Sequence, residues 1–396
     1  MNTNEIIELD NEYIAHTYGR LKLAPVYGKN ATLYDNEGKK YIDFTSGIGV
    51  NSLGIADVEF CDAVYGQLKH IQHISNYYYS PVTALLAKDI VRSSGMKKVI
   101  FQNSGAEANE AAIKVARKYS FDKYGEGRSK IITLVNSFHG RTVTTLSATG
   151  QDVFHKFFFP FTEGFCHVPA NDVEALKNAI DGTVCAVMLE VIQGEGGVNL
   201  LSAEYVKAVG EICKENDVLL IFDEVQTGIG RTGKLYAHEH FGVSPDVFTL
   251  AKGLGGGLPI GCAVLGEKCE NVLGKSDHGT TFGGNPAVCA GARVVMNRVK
   301  SKSFLKEVTE KGEYVRKTVS EWGLPVVKDV RGLGLMIGIE VEADHKALVG
   351  KALEKGLMLL TAGKNVVRML PPLTISYEEL DEGLKILKKI LSKAQS

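Results

Sequence analysis

The sequence predicts an α/β fold: a mostly parallel central sheet with a smaller α+β domain attached. Three observations carry that prediction. From about residue 97, short apolar runs alternate with segments of helical period, the rhythm of a wound sheet. Polar and glycine-rich residues gather after those runs, at their carboxyl ends. A packed core does not demand that bias, but a ligand crevice at the edge of a parallel sheet does. Beyond about residue 300 the rhythm changes to charged helices and isolated strands. A chain of 396 residues has room for one large and one smaller domain. The expected division is an N-terminal arm and small sheet packing with the small domain (1–50), a large domain (51–300) and a C-terminal small domain (301–396).

Taken in order, residues 26–38 and 39–44 read as two strands around an Asn36-Glu37-Gly38 turn. Residues 57–70 read as a helix, and the adjacent Tyr77, Tyr78 and Tyr79 read as packing. Buried strands follow at 99–101, 130–135 and 185–189. The fourth and fifth, at 218–222 and 246–251, run into Asp223 and Lys252. A sixth, at 262–265, follows after about ten residues, too few for a parallel crossover, so it is expected to run antiparallel. Helical period fills 108–119, 172–180, 203–216 and 284–300, and Ser104 with Glu107 fits a capping box. In the last hundred residues 301–320, 343–355 and 377–392 read as helices. Segments 329–341, 357–361 and 365–370 read as strands, the last with Arg368 inside an apolar run.

Composition excludes several classes. Apolar content of 44% with 23% charged residues is that of a soluble globular protein. A net charge of −1 without a long basic run gives no support for binding nucleic acid or an anionic membrane. Seven cysteines, an odd number with no C-x-x-C, fit reduced thiols in the cytosol better than a disulfide framework. No apolar stretch approaches the ~20 residues needed to span a bilayer, and no cationic-then-apolar leader opens the chain. The expectation is a cytoplasmic protein acting on small molecules.

The chemistry centres on 218–252. An acid ends one buried strand and a lysine ends the next. A lysine after an apolar strand and before a glycine run is desolvated, which favours its neutral, nucleophilic amine. A carboxylate to hold a pyridinium nitrogen and a lysine to condense with an aldehyde are what pyridoxal phosphate (PLP) chemistry needs. Strand alternation sets Asp223 and Val225 on one face and Glu224, read as structural, on the other. Ser104, Gly105 and Ala106 open a helix whose N–H groups suit a phosphate. Phe138 could stack on a flat ring, and Arg141 could clamp a carboxylate bidentately. Arg368 needs an anion, and Glu195 could be that anion when no substrate is present. Thr280 and Thr281 offer hydroxyls beside another helix start, and His139 ranks lower as a catalyst. No metal-ligand spacing, P-loop or Gly-x-Ser-x-Gly elbow is present.

The run Asp-Glu-Val-Gln-Thr-Gly-Ile-Gly-Arg-Thr-Gly at 223–233, with 103–110, 138–142, 193–197, 279–285 and 367–373, resembles the class III PLP-dependent aminotransferases, and most of all their acetylornithine branch. The likeness covers nearly the whole chain, from about Tyr18 to Leu373. It departs at Gly54-Ile55-Ala56-Asp57-Val58, where many members carry Gly-His-x-His-Pro, and at Val191, where many carry proline. The resemblance implies fold type I and a homodimer with shared sites. It implies transfer of an amino group from N2-acetylornithine to 2-oxoglutarate, with succinylornithine, ornithine and 4-aminobutyrate as alternative donors. Lys252 would carry PLP and Asp223 would pair with its ring nitrogen. Gln226 would sit near the ring hydroxyl, and Phe138 and Val225 would sandwich the ring. Gly105 and Ala106 would hold the phosphate, with Thr281 reaching it from the partner subunit. Arg141 and Thr280 would contact substrate. A PLP aminomutase and a nucleotide-binding dehydrogenase are the competing readings from other classes.

Overall fold

The computed structural model describes residues 1–394. A helix, Thr3–Tyr13, capped by Asn2, precedes three antiparallel strands: β1 (Pro25–Lys29), β2 (Thr32–Asp35) and β3 (Lys40–Asp43). Two strands are expected from the sequence here. The third arises because Asn30 adopts φ +54 and folds 26–38 back on itself, a turn that asparagine tolerates without glycine.

Next come β4 (Lys98–Gln102), β5 (Lys130–Leu134), β6 (Phe165–Val168) and β7 (Val184–Leu189). A short ribbon, β8 (Ile192–Gln193) and β9 (Asn199–Leu200), leads to β10 (Leu219–Asp223), β11 (Val247–Leu250) and β12 (Gly261–Leu265). Seven of these form one sheet in the order β4-β12-β11-β10-β7-β5-β6. Strand β12 runs antiparallel to both its neighbours, as its short connection requires, and the remaining pairs are parallel.

The central strands are buried along their whole length, which is why they read as continuous apolar runs rather than alternating ones. Leu219 and Ile221 face the alanine-rich side of the helix Gly105–Tyr124. Leu220 and Phe222 face the opposite layer with Val187 and Phe248. Each such side chain contributes about 1.5–3 kcal/mol by leaving water. The helix Gly105–Tyr124 starts at Ser104, whose Oγ accepts from Glu107 N. The capping box is displaced by one residue: the Glu107 carboxylate takes the N–H of Asn103, not of Ser104.

The helices Pro286–Val299 and Lys302–Glu321 lead into the C-terminal region. There β13 (Val327–Leu333), β14 (Met336–Val341), β16 (Leu360–Ala362) and β17 (Val366–Met369) form an antiparallel sheet in the order β13-β14-β17-β16. The single strand expected at 329–341 is a hairpin, reversed at Gly334 with φ +51. The single strand expected at 357–361 is two. β15 (Leu357–Met358) pairs in parallel with β3, and only β16 joins the C-terminal sheet. The Glu379 carboxylate adds to that junction, accepting from Asn30 Nδ2, Ala31 N and Thr32 Oγ1 at 2.6, 3.2 and 2.9 Å. The helix Pro81–Ser94 is not among the sequence expectations, although Ser80, Pro81 and the left-handed Gly95 mark both its ends. Tyr77, Tyr78 and Tyr79 do not pack within the chain: they are 95, 72 and 101% exposed.

Candidate active site

Parallel pairing of β10 and β11 sets Asp223 opposite Thr249, so Asp223 and Lys252 reach the same carboxyl edge of the sheet. Both line a cavity of about 480 Å³, together with Asn103, Ser104, Gly105, Ala106, Phe138, Arg141, Val225 and Gln226.

Asp223 is buried and fully engaged on the protein side. Its Oδ2 accepts from Asn109 Nδ2 at 2.8 Å and lies 2.8 Å from His139 Nδ1; its Oδ1 accepts from Val225 N at 3.0 Å. Asn109 is itself fixed by the His139 carbonyl and the Thr249 hydroxyl. The imidazole thus donates through Nδ1, leaving His139 Nε2 buried without a partner among the described residues. His139 is a support for Asp223, more central than the sequence suggests, and Asn109 is absent from the sequence reading altogether. The available signal was one polar residue on the alanine-rich face of a helix. Glu224 is structural, accepting from Ala237 N and His238 N.

Lys252 is half-buried at the start of a single turn, Lys252–Gly255, with a left-handed φ of +40. Burial pushes its ammonium pKa down, against the pull of the Glu195 carboxylate. Its amine has no hydrogen-bond partner among the described residues. Glu190, ending β7, is a further carboxyl the sequence reading leaves without a role. It accepts from Phe138 N at 2.9 Å and Gly194 N at 3.3 Å. Burial pushes its pKa up to about 7, and the nearby Asp223 carboxylate adds to the rise while His139 opposes it.

At the helix start, a Cβ added to Gly105 would lie 2.5 Å from Val225 Cγ1. Only glycine lets the backbone N–H groups come that close to Val225, which leaves an open cradle at a helix N-terminus. Phe138 and Val225 both border the cavity. Gln226, on the cavity wall, is met by Arg368, whose Nη1 donates to Glu195 Oε1 at 2.7 Å and to Gln226 Oε1 at 3.0 Å. The guanidinium is almost wholly buried, and its charge outweighs the effect of burial to hold the Glu195 carboxyl below its usual range. The Gln226 amide oxygen is therefore occupied by Arg368, a contact the sequence reading does not include. Arg141 makes no ion pair or hydrogen bond among the described residues.

The two threonines lie elsewhere. Thr280 is outside the cavity wall and is joined to it by Asn103, whose Nδ2 donates to its hydroxyl at 2.9 Å. Thr281 lines a separate cleft of about 260 Å³ with Tyr78, Tyr79 and Gly283. Among the described residues no His, Cys, Asp and Glu group could hold a metal ion, and no helix is long and apolar enough to cross a membrane.

A desolvated lysine and a braced carboxylate at adjacent strand ends, beside an anion cradle, define an enzyme site for exchanging amines with carbonyls. The chain belongs to the class III aminotransferases: residues 13–391 match that family (Aminotransferase class-III). It is 52% identical to the acetylornithine aminotransferase of Haemophilus ducreyi over 99% of this chain and 100% of that one. It is 44% identical to the enzyme of the same name from Methanocaldococcus jannaschii, over 99% of both chains. The ornithine aminotransferase of Toxoplasma gondii superimposes with a TM-score of 0.96 at 32% identity, covering 100% of this chain and 96% of that one. The N-acetylornithine aminotransferase of Stenotrophomonas maltophilia does so with a TM-score of 0.85 at 35% identity, covering 98% of both. The fold is that of fold type I, as the sequence predicts.

Proposed function

We propose that this chain uses pyridoxal 5'-phosphate to move the terminal amino group of N2-acetylornithine to 2-oxoglutarate. The observation that carries the reading is the pairing of Lys252 and Asp223 at one cavity, with the lysine amine desolvated and unpartnered. A second structure of the Toxoplasma gondii enzyme, 32% identical to this chain, has PLP in partial occupancy at its active site. The residues here fit that group. The glycine cradle suits a phosphate, Phe138 and Val225 suit the faces of a ring, and Asp223 suits a protonated ring nitrogen. The relatives' names supply the choice of donor.

When bound, PLP supplies an aldehyde for the incoming amine and a ring that draws electrons from the neighbouring carbon. Lys252 would hold the aldehyde carbon through its amine. Released by the substrate amine, it is placed to carry a proton away from the δ-carbon and deliver it to the cofactor carbon. Asp223, braced by Asn109 and His139, would keep the ring nitrogen protonated. Gln226, held against Arg368, would sit near the ring hydroxyl. Arg141 would take the carboxylate distal to the reacting carbon in both half-reactions, and Thr280 would act near it through Asn103. Arg368 would stay with Glu195 while the donor is bound and grip the α-carboxylate of 2-oxoglutarate or glutamate in the second half.

Glu195→Gln should therefore shift the ratio of the two half-reaction rates by about tenfold or more, since a neutral amide no longer competes for Arg368. Single-turnover kinetics with acetylornithine and with glutamate measure that ratio, and an unchanged ratio removes the switch. We also propose a homodimer. Thr281 lines a cleft separate from the cavity of its own chain's Lys252, with exposed Tyr78 and Tyr79 on the same wall, as a residue serving a neighbour's phosphate would. A panel of amino donors with 2-oxoglutarate tests the substrate. Acetylornithine should give the highest kcat/KM, and a clear preference for 4-aminobutyrate or unmodified ornithine overturns that choice.

A further inference from the structure

We propose that Phe154 is the positioning residue for Arg141 and sets how tightly the substrate's distal carboxylate is held. The inference rests on the reading of Arg141 as the carboxylate clamp. The Arg141 guanidinium carbon lies 4.0 Å from the centroid of the Phe154 ring and 5.6 Å from that of Phe138. The two rings meet edge to face, 6.0 Å apart at 74°. Arg141 is thus held by aromatic faces alone. Stacking of this kind orients the planar group and uses none of its five N–H donors. All of them stay available for a bidentate grip, and less side-chain freedom is lost when the anion arrives.

Phe154 can do this because it is anchored to the loop that carries Phe138 and Arg141. Asn136 N donates to Gly150 O at 2.7 Å, Gly150 N to Ser137 Oγ at 3.1 Å, and Gln151 Nε2 to Ser137 O at 3.0 Å. The turn Asp152–Phe154 then closes through Phe154 N to Gln151 O at 3.0 Å. His155 Nε2 lies 2.8 Å from Leu146 O and pins the far side. Phe157, Phe158 and Phe159 in the same run point to solvent, 81, 58 and 70% exposed, whereas Phe154 is half-buried against the arginine. The aromatic run is not uniform: Phe154 is the member that meets Arg141.

The test is a double-mutant cycle on the holoenzyme with Phe154→Leu, Arg141→Ala, the pair, and Phe154→Tyr. Two quantities are read: steady-state constants for acetylornithine, and the dissociation constant of glutarate, an unreactive dicarboxylate. Phe154→Leu should raise KM and the glutarate constant about tenfold with kcat within about twofold. Phe154→Tyr should restore both. In the Arg141→Ala background, Phe154→Leu should add nothing. A fall in kcat in place of a rise in KM, or the same penalty with and without Arg141, marks a merely structural role and overturns the proposal. If Arg141→Ala has its effect but Phe154→Leu has none, only this inference fails. If Arg141→Ala itself leaves KM unchanged, the clamp reading falls and this one with it.

Discussion

Lys252→Ala should lower kcat by about 10⁴-fold or more. Two functions leave together, covalent capture and proton transfer, and the proton-transfer role alone is worth roughly 10²–10⁴. No other described residue offers a replacement amine at the cavity, since Arg141 is the other cation lining it, Arg368 meets it only through Gln226, and neither guanidinium is a usable nucleophile. Steady-state turnover with acetylornithine and 2-oxoglutarate measures the loss, and a spectrum of the purified protein should show the visible absorbance of lysine-bound cofactor disappear. Turnover near the starting rate would sink the assignment of Lys252.

Asp223→Asn should lower kcat by roughly 10²–10³-fold, which corresponds to about 3–4 kcal/mol. The carboxylate faces three donors, Asn109 Nδ2, His139 Nδ1 and Val225 N. They brace it as an anion, so it can hold a buried cation on its open side. An amide presents one acceptor oxygen and an N–H₂, so it both loses the charge and sets a donor against a donor. The loss should fall on kcat more than on KM, because the proposed grips on the substrate carboxylates, Arg141 and Arg368, are other residues. Activity within tenfold of the unmodified protein, with the fold intact by circular dichroism, contradicts the pairing.

The two residues on which the proposed chemistry rests are legible because each follows a fully buried strand. Apolar runs ending on Asp223 and on Ala251-Lys252 announce both the strand and the edge where it stops. The antiparallel turn of β12 was legible for a similar reason, since ten residues leave no room for a crossover helix. Elsewhere the signals were weak. Nothing polar interrupts Gly332-Leu333-Gly334-Leu335, so the hairpin between β13 and β14 was hidden inside one apolar run. The break at Leu359 depends on β15 finding β3, more than 300 residues away in sequence, and no local pattern encodes that. Asn109 carries little signal and His139 ranks low for a third reason: their importance lies in bracing Asp223, a contact between separated segments. Glu190 stands, like Asp223, as a carboxylate at the end of a buried strand, and that position is legible although its contacts are not.

The left-handed backbone at Lys252 has a consequence for the protein's endurance. A non-glycine residue held at φ +40 in the folded state is strained by about 1–3 kcal/mol, and burying its amine away from water adds a further burden. Asp223 shares the cavity, its charge directed at a partner that the chain does not itself contain. Occupancy of the site relieves the isolation of both groups, so ligand concentration and unfolding temperature should be linked by mass action. Scanning calorimetry should show the midpoint climbing steadily as PLP is titrated into the cofactor-free protein, and a midpoint indifferent to PLP refutes the linkage. What would hold the reagent for chemistry would then also help to keep the chain folded.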